Sequence, residues 1–148
     1  MAGWRLGFVV GNAQVLANLE KFKSFLDYGV CTAIQLSGVA ALMDTQDCVE
    51  ETRLIYQKRR DIMIDGMAKL GWNVKRPKGT MYIWAPIPEK YKNMGSMAFS
   101  EFLLRETGVS VSPGSGFGKY GEGYIRIALV THDSRFHDVL LRFKKILK

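Results

Sequence analysis

The chain has 148 residues, enough for one ordinary domain, and its 47% hydrophobic and 11% aromatic content belongs to a packed protein, not a disordered one. The formal charge of +7 gathers in RLIYQKRR (53–60), KRPK (75–78) and the tail RFKKILK (142–148), stretches that read as solvated surface and a helix C-terminus and argue against nucleic-acid binding. No apolar run is long enough to span a membrane, no signal segment follows Met1, and Cys31 and Cys48 form no metal-ligand spacing with His132 and His137, so the cysteines read as reduced packing residues of a cytoplasmic protein without a metal.

Trp4 to Val10 reads as a strand, with Arg5, Gly7, Val9 and Gly11 on one side and Leu6, Phe8 and Val10 on the other. Asn12 is a good N-cap for NAQVLANLEKFKSFLDY, where Val15, Leu19, Phe22 and Leu26 share a helical face and Gly29 follows as the stop. CTAIQLSGVAALMD (31–44) reads as a buried loop and helix. Asp47 with Glu50 resembles a capping box, and Val49, Ile55, Ile62, Met67 and Leu70 hold a helical period up to Gly71. So long a helix suits a bridge between two domains.

Beyond Gly71 the period changes. WNVKRP predicts a short strand, and GTMYIWAPIP another, with Met81, Ile83 and Ala85 facing one way and Tyr82 and Trp84 the other. MAFSEFLLRETG predicts a helix ending at Gly108, VSVSP a strand stopped by Pro113, GSGFGKYGEG a loop and YIRIALV a strand. Asp133 or Ser134 is expected to cap a last amphipathic helix carrying Phe136, Val139, Leu140, Phe143 and Leu147. The order β-β-α-β-β-α gives the fold class: an α/β sandwich with a mainly antiparallel sheet. The first forty-odd residues stand outside that plan, since one strand and one helix cannot bury themselves.

Two arginines interrupt apolar strands. Arg5 shares its face with glycines, which permit close approach of a ligand or a neighbouring chain. Arg126 alternates onto the face of Tyr124 and Ala128, where the small neighbour leaves room. A guanidinium offers a rigid fork of donors matched to phosphate or carboxylate. Pattern alone leaves two readings open for each: an anion clamp, or an edge arginine that reaches solvent or a carboxylate. GSGFG is not a GxGxxG phosphate loop and opens no helix, although its glycines could let the backbone approach a small molecule.

AGWRLGFVVG (2–11), KGTMYIWAPIP (78–88) and VSVSPGSGFGKYGEGYIRIALV (109–130) together resemble the fold-type I, pyridoxal-phosphate-dependent aminotransferases of class I/II, in the same order and over essentially the whole chain. MYIWAPIPEKY and SPGSGFGKYGEGYIRIAL are similar to the alanine-type transaminases and their relatives acting on aspartate, methionine or LL-diaminopimelate. The resemblance implies that Arg5 grips the phosphate of pyridoxal 5'-phosphate and that Arg126 holds the substrate's α-carboxylate. It implies residues 1–45 as the C-terminal edge of a large cofactor-binding domain, 46–71 as a connecting helix and 72–148 as the small domain. It further implies amino acid and 2-oxo acid substrates, small-domain closure over the substrate, and a cytoplasmic homodimer. The family's Schiff-base lysine falls ahead of Met1, and none of Lys21, Lys23 or Lys58 matches it, so no catalytic residue is assigned and the isolated chain is expected to be inactive. Two alternatives stand beside this: a non-catalytic domain or truncation product, and a β-lyase or synthase of the same fold. The apolar edge at residues 6–36 is expected to drive self-association.

Overall fold

The computed structural model describes residues 1–148, Ala2 by its backbone alone. The chain divides into two compact units, Met1–Glu50 and Glu51–Lys148.

The first unit is helical. A short 3-10 turn, Ala2–Trp4, leads into Arg5, and residues 6–10 are irregular. Helix α1 (Ala13–Leu26) begins at Asn12, whose side-chain Oδ1 accepts from the backbone N–H groups of Gln14 (2.9 Å) and Val15 (3.2 Å). Two donors that a helix start leaves orphaned are thereby satisfied, as the sequence predicts. Helix α2 (Thr32–Met43) follows. The predicted strand at Trp4 to Val10 is not formed, and the face of glycines around Arg5 goes with it. A strand exists only as one side of a hydrogen-bonded ladder, and no strand of this unit offers the other. The segment instead lays Leu6 on α2, where Gly38 leaves room; a Cβ at Gly38 would stand 2.5 Å from Leu6 Cδ2. The segment 31–44 is helical as expected but lies at the surface, Gly38 being its one buried residue.

The second unit holds the core. Helix α3 (Asp47–Lys69) spans the unit boundary. Strands β1 (Tyr82–Pro86), β2 (Ser112–Pro113) and β3 (Tyr124–Ala128) form an antiparallel sheet in the order β1-β3-β2. Helices α4 (Ser96–Thr107) and α5 (Asp133–Leu147) complete the unit. Strand alternation sends Ile83, Ala85, Ile125 and Ile127 inward, where they join Met63, Ile64 and Met67 of α3, Phe99 and Leu103 of α4, and Phe136, Phe143 and Ile146 of α5. Val49 and Ile55, placed by the period on the same face of α3 as Met67, are exposed.

Two details differ from the sequence reading. WNVKRP joins no ladder, so the sheet has three strands. Trp72 is buried in the core and donates its indole N–H to the Pro86 carbonyl at 2.8 Å, while Arg60 donates to the Pro77 carbonyl at 3.1 Å. Side chains thus satisfy carbonyls that a ladder would otherwise have to serve. The α5 cap position is His132, one residue before the expected cap. Asp133 is drawn away to Lys58 (2.8 Å) and Arg59 (3.2 Å), and Arg59 also donates to the Leu129 carbonyl at 3.1 Å. These contacts tie α3 to the end of β3 and the start of α5, and hold the Asp133 carboxyl below its usual range, the Lys58 hydrogen bond contributing most.

Candidate functional site

The outward face of the sheet carries the chemistry. Alternation turns Tyr82 and Trp84 of β1 and Tyr124 and Arg126 of β3 away from the core, and the register sets Trp84 on one side of Arg126 and Ser112 on the other. The Arg126 guanidinium carbon lies over two rings, 4.2 Å from the Tyr82 centroid and 4.4 Å from that of Phe117. Cation–π attraction and dispersion act together at such distances. Trp84 meets Phe117 edge-on at 5.7 Å and stacks on Tyr124 at 5.7 Å, so the ring that covers the arginine is itself buttressed. Trp84 and Tyr124 also wall a cleft of about 700 Å³ whose rim carries Lys75, Arg76 and Lys78.

The partly buried arginines of this unit fall into two kinds. Arg59 donates to Asp133 and the Leu129 carbonyl, Arg60 to Asp61 and the Pro77 carbonyl, and Arg142 pairs with Asp138 and donates to the Thr107 carbonyl. Each has at least two nitrogens committed to acceptors within the fold. Arg126 has a different environment. Its Nη2 stands 3.5 Å from Ser112 Oγ, the outer limit of a hydrogen bond, and its buried Nε has no acceptor among the described residues. A buried charged donor without a partner is unfavourable in a finished fold. The arrangement suits a guanidinium that receives its acceptor from a ligand.

The loop beside it is fixed by two contacts. Gly114 and Gly121 pack backbone against backbone, so that a Cβ on Gly121 would stand 1.9 Å from the Gly114 carbonyl oxygen. Those two glycines serve the loop's own closure. Glu122 accepts from the Ser96 backbone N–H at 2.6 Å and from its hydroxyl at 2.9 Å, capping α4 from a distance in sequence. The Ser96 amide first, then the Gly123 amide and the Ser96 hydroxyl, hold the Glu122 carboxyl below its usual range. Phe117 is thus presented by a segment pinned at Gly114, Gly121 and Glu122.

Arg5 belongs to the other unit. It sits in a turn at φ +55, the left-handed region that L-residues rarely adopt, and such residues gather at functional positions. It lines a cleft of about 740 Å³ together with Gly7, Glu20, Lys23 and Ser24. Lys23 is paired with Asp27. The sequence reads Tyr82 and Trp84 as packing or domain-contact residues and does not single out Phe117 or Ser112, whereas the structure places Tyr82, Phe117 and Ser112 beside Arg126. Alternation does put Tyr82 and Arg126 outward on their strands, but only the register brings them together. Among the described residues no group of three His, Cys, Asp or Glu could hold a metal ion, and no helix is long and apolar enough to cross a membrane.

Against known proteins, the sequence model of the family described as aminotransferase class I and II matches residues 1–142. The chain is 44% identical over 147 residues to an LL-diaminopimelate aminotransferase of Moorella thermoacetica, covering 99% of this chain and 37% of that protein. It is 43% identical over 148 residues to the glutamate-pyruvate aminotransferase AlaC of Escherichia coli, covering 36% of it. Among solved structures, an aromatic aminotransferase from Pyrococcus horikoshii matches 99% of this chain and 39% of its own with a TM-score of 0.88 at 36% identity. BacF of Bacillus subtilis matches with a TM-score of 0.87 at 34% identity, over 37% of its chain. The chain therefore spans a little over a third of the length of the proteins it resembles.

Proposed function

Because this chain belongs to the class I and II aminotransferases, a pyridoxal-phosphate-dependent family, we propose that it is the C-terminal part of an enzyme moving an amino group between an amino acid and a 2-oxo acid. In that reading residues 1–45 form the edge of the cofactor-binding domain, 46–71 the connecting helix and 72–148 the small domain, in a homodimeric cytoplasmic enzyme. The substrates are of the alanine, aspartate or similar kind, and the names of the relatives support the alanine and diaminopimelate members of that range. The observation that carries it is the Arg126 guanidinium, which lies over two rings and whose buried Nε has no acceptor among the described residues.

Bound pyridoxal phosphate supplies the electron sink that lets an amino acid lose its Cα proton. The Arg5 fork fits its phosphate as one arm of a larger cradle, since it lies beside an open cleft and its donor geometry matches a phosphate's oxygens. Arg126 takes the α-carboxylate. A bidentate grip fixes the direction of the acid as well as its position, which an orienting role requires. The rings of Tyr82 and Phe117 displace water from the guanidinium and so strengthen the ion pair. No lysine of this chain matches the family's reactive lysine, so the amine that moves the proton is assigned to the rest of the enzyme.

The test is Arg126→Ala in the full-length enzyme. We expect KM to rise for every amino acid tried and kcat/KM to fall by about a hundredfold or more, the loss of a paired charge-assisted contact. An unchanged KM removes the carboxylate assignment.

A further inference from the structure

Charge alone does not aim a guanidinium. An arginine side chain has several rotatable bonds, and most structural arginines are held in place by the acceptors they bind. Arg126 cannot be held that way, because its contact with Ser112 is at the limit of hydrogen bonding and its Nε has no acceptor among the described residues. What touches it are ring faces: Tyr82, rising from β1, and Phe117, carried on the loop between β2 and β3. A ring face attracts the cation but takes up none of the in-plane N–H directions that a carboxylate uses. The rings can therefore fix the fork while leaving its donors free for a ligand.

We infer that Tyr82 and Phe117 are positioning residues, which hold the Arg126 guanidinium ready for a substrate carboxylate without consuming its donors. The inference rests on the carboxylate reading of Arg126. Phe117 is the more telling of the two. It is 52% exposed, so the fold does not need it for burial, and yet its place is over-determined. Trp84 meets its ring edge-on, the Gly114–Gly121 contact closes the loop that bears it, and Glu122 pins that loop to the start of α4. An exposed aromatic ring held by that many contacts is there to cover something, and what it covers is the guanidinium.

The experiment uses the whole chain, labelled with ¹⁵N and titrated with pyruvate at constant ionic strength, with sodium chloride as the control. Two signals are followed: the Arg126 Nε–H resonance with its solvent exchange, and the pyruvate-induced shifts along β3. In the wild type we expect a slowly exchanging Nε–H that moves on pyruvate addition and not on chloride addition. In Phe117→Leu we expect faster Nε–H exchange and a pyruvate dissociation constant raised by about three- to tenfold, the scale of a cation–π contact. Phe117→Tyr, which keeps the ring, is expected to restore both. Tyr82→Leu should repeat the loss from the other side. Wild-type exchange and affinity in both leucine variants overturn the positioning role and leave the carboxylate reading standing. Pyruvate shifts along β3 that survive in Arg126→Ala overturn the carboxylate reading itself.

Discussion

The two units of this chain put similar residues to opposite use. In Glu51–Lys148 the large apolar side chains meet in one cluster, where Phe99, Leu103, Phe143 and Ile125 are wholly buried. In Met1–Glu50 the helices are as well formed, but Phe22 is 64% exposed, Phe25 77% and Tyr28 92%. An amphipathic stripe gives a helix its period and a cap gives it a beginning, and both are local. A core is not local: it needs a second face to close upon, and most helical stability in proteins comes from that closure. The sheet supplies such a face in the second unit. The first unit keeps its apolar stripe uncovered, the arrangement expected of a surface that associates with something else.

Four substitutions, the last read against pH, sharpen or break this contrast. The largest effect is expected in the second unit, where Phe143→Ala opens a cavity in the core and costs about 3–5 kcal/mol in urea unfolding followed by tryptophan fluorescence. The matched change in the first unit, Phe22→Ala, should cost under about 0.5 kcal/mol, because the ring is already exposed to solvent. Equal losses at the two positions would show that the stripe on α1 is covered in solution. Next in size is Asn12→Ala, which removes both side-chain hydrogen bonds to the start of α1 and should cost that helix about 1 kcal/mol, read as faster amide exchange at Gln14 and Val15. Exchange that does not change would mean that tertiary contacts, not the cap, hold α1.

The smallest effect concerns acid. Glu122 titrates below its usual range because the Ser96 and Gly123 amides and the Ser96 hydroxyl favour its anion. A depressed carboxyl contributes stability that is fully present above the ordinary glutamate range and is lost as pH falls through its lowered value. Thermal melts taken from neutral pH downward should therefore show a loss in that window that Glu122→Gln lacks. Asp133, lowered by Lys58 and Arg59, contributes in the same direction. A Glu122→Gln chain with the wild-type acid profile would show that the loop is held by the Gly114–Gly121 contact alone.

How far the site was legible in the sequence follows from the range of each interaction. Residue order and strand alternation determined that α1 begins at Asn12, that α4 stops at Gly108, and that Tyr82 and Arg126 turn outward while Ile83 and Ile127 turn inward. Steric period and hydrogen-bonding chemistry act within a few residues, so those features can be read from local sequence. The strand expected at Trp4 to Val10 shows the limit, because a strand's hydrogen bonds belong half to its partner. WNVKRP shows it again, where burial of Trp72 and donation from Arg60 took the place of a ladder. The position of Asp133 shows it a third time: its carboxylate had a choice between a helix start and two cations from α3, and the tertiary fold put the cations within reach.

Only the tertiary structure decided that Ser112, Trp84 and Arg126 lie side by side, that Phe117 comes over the guanidinium, and that, among the described residues, the Arg126 Nε is buried without an acceptor. Those facts depend on which strand pairs with which and in what register, and register is a property of the assembled sheet that no single segment carries.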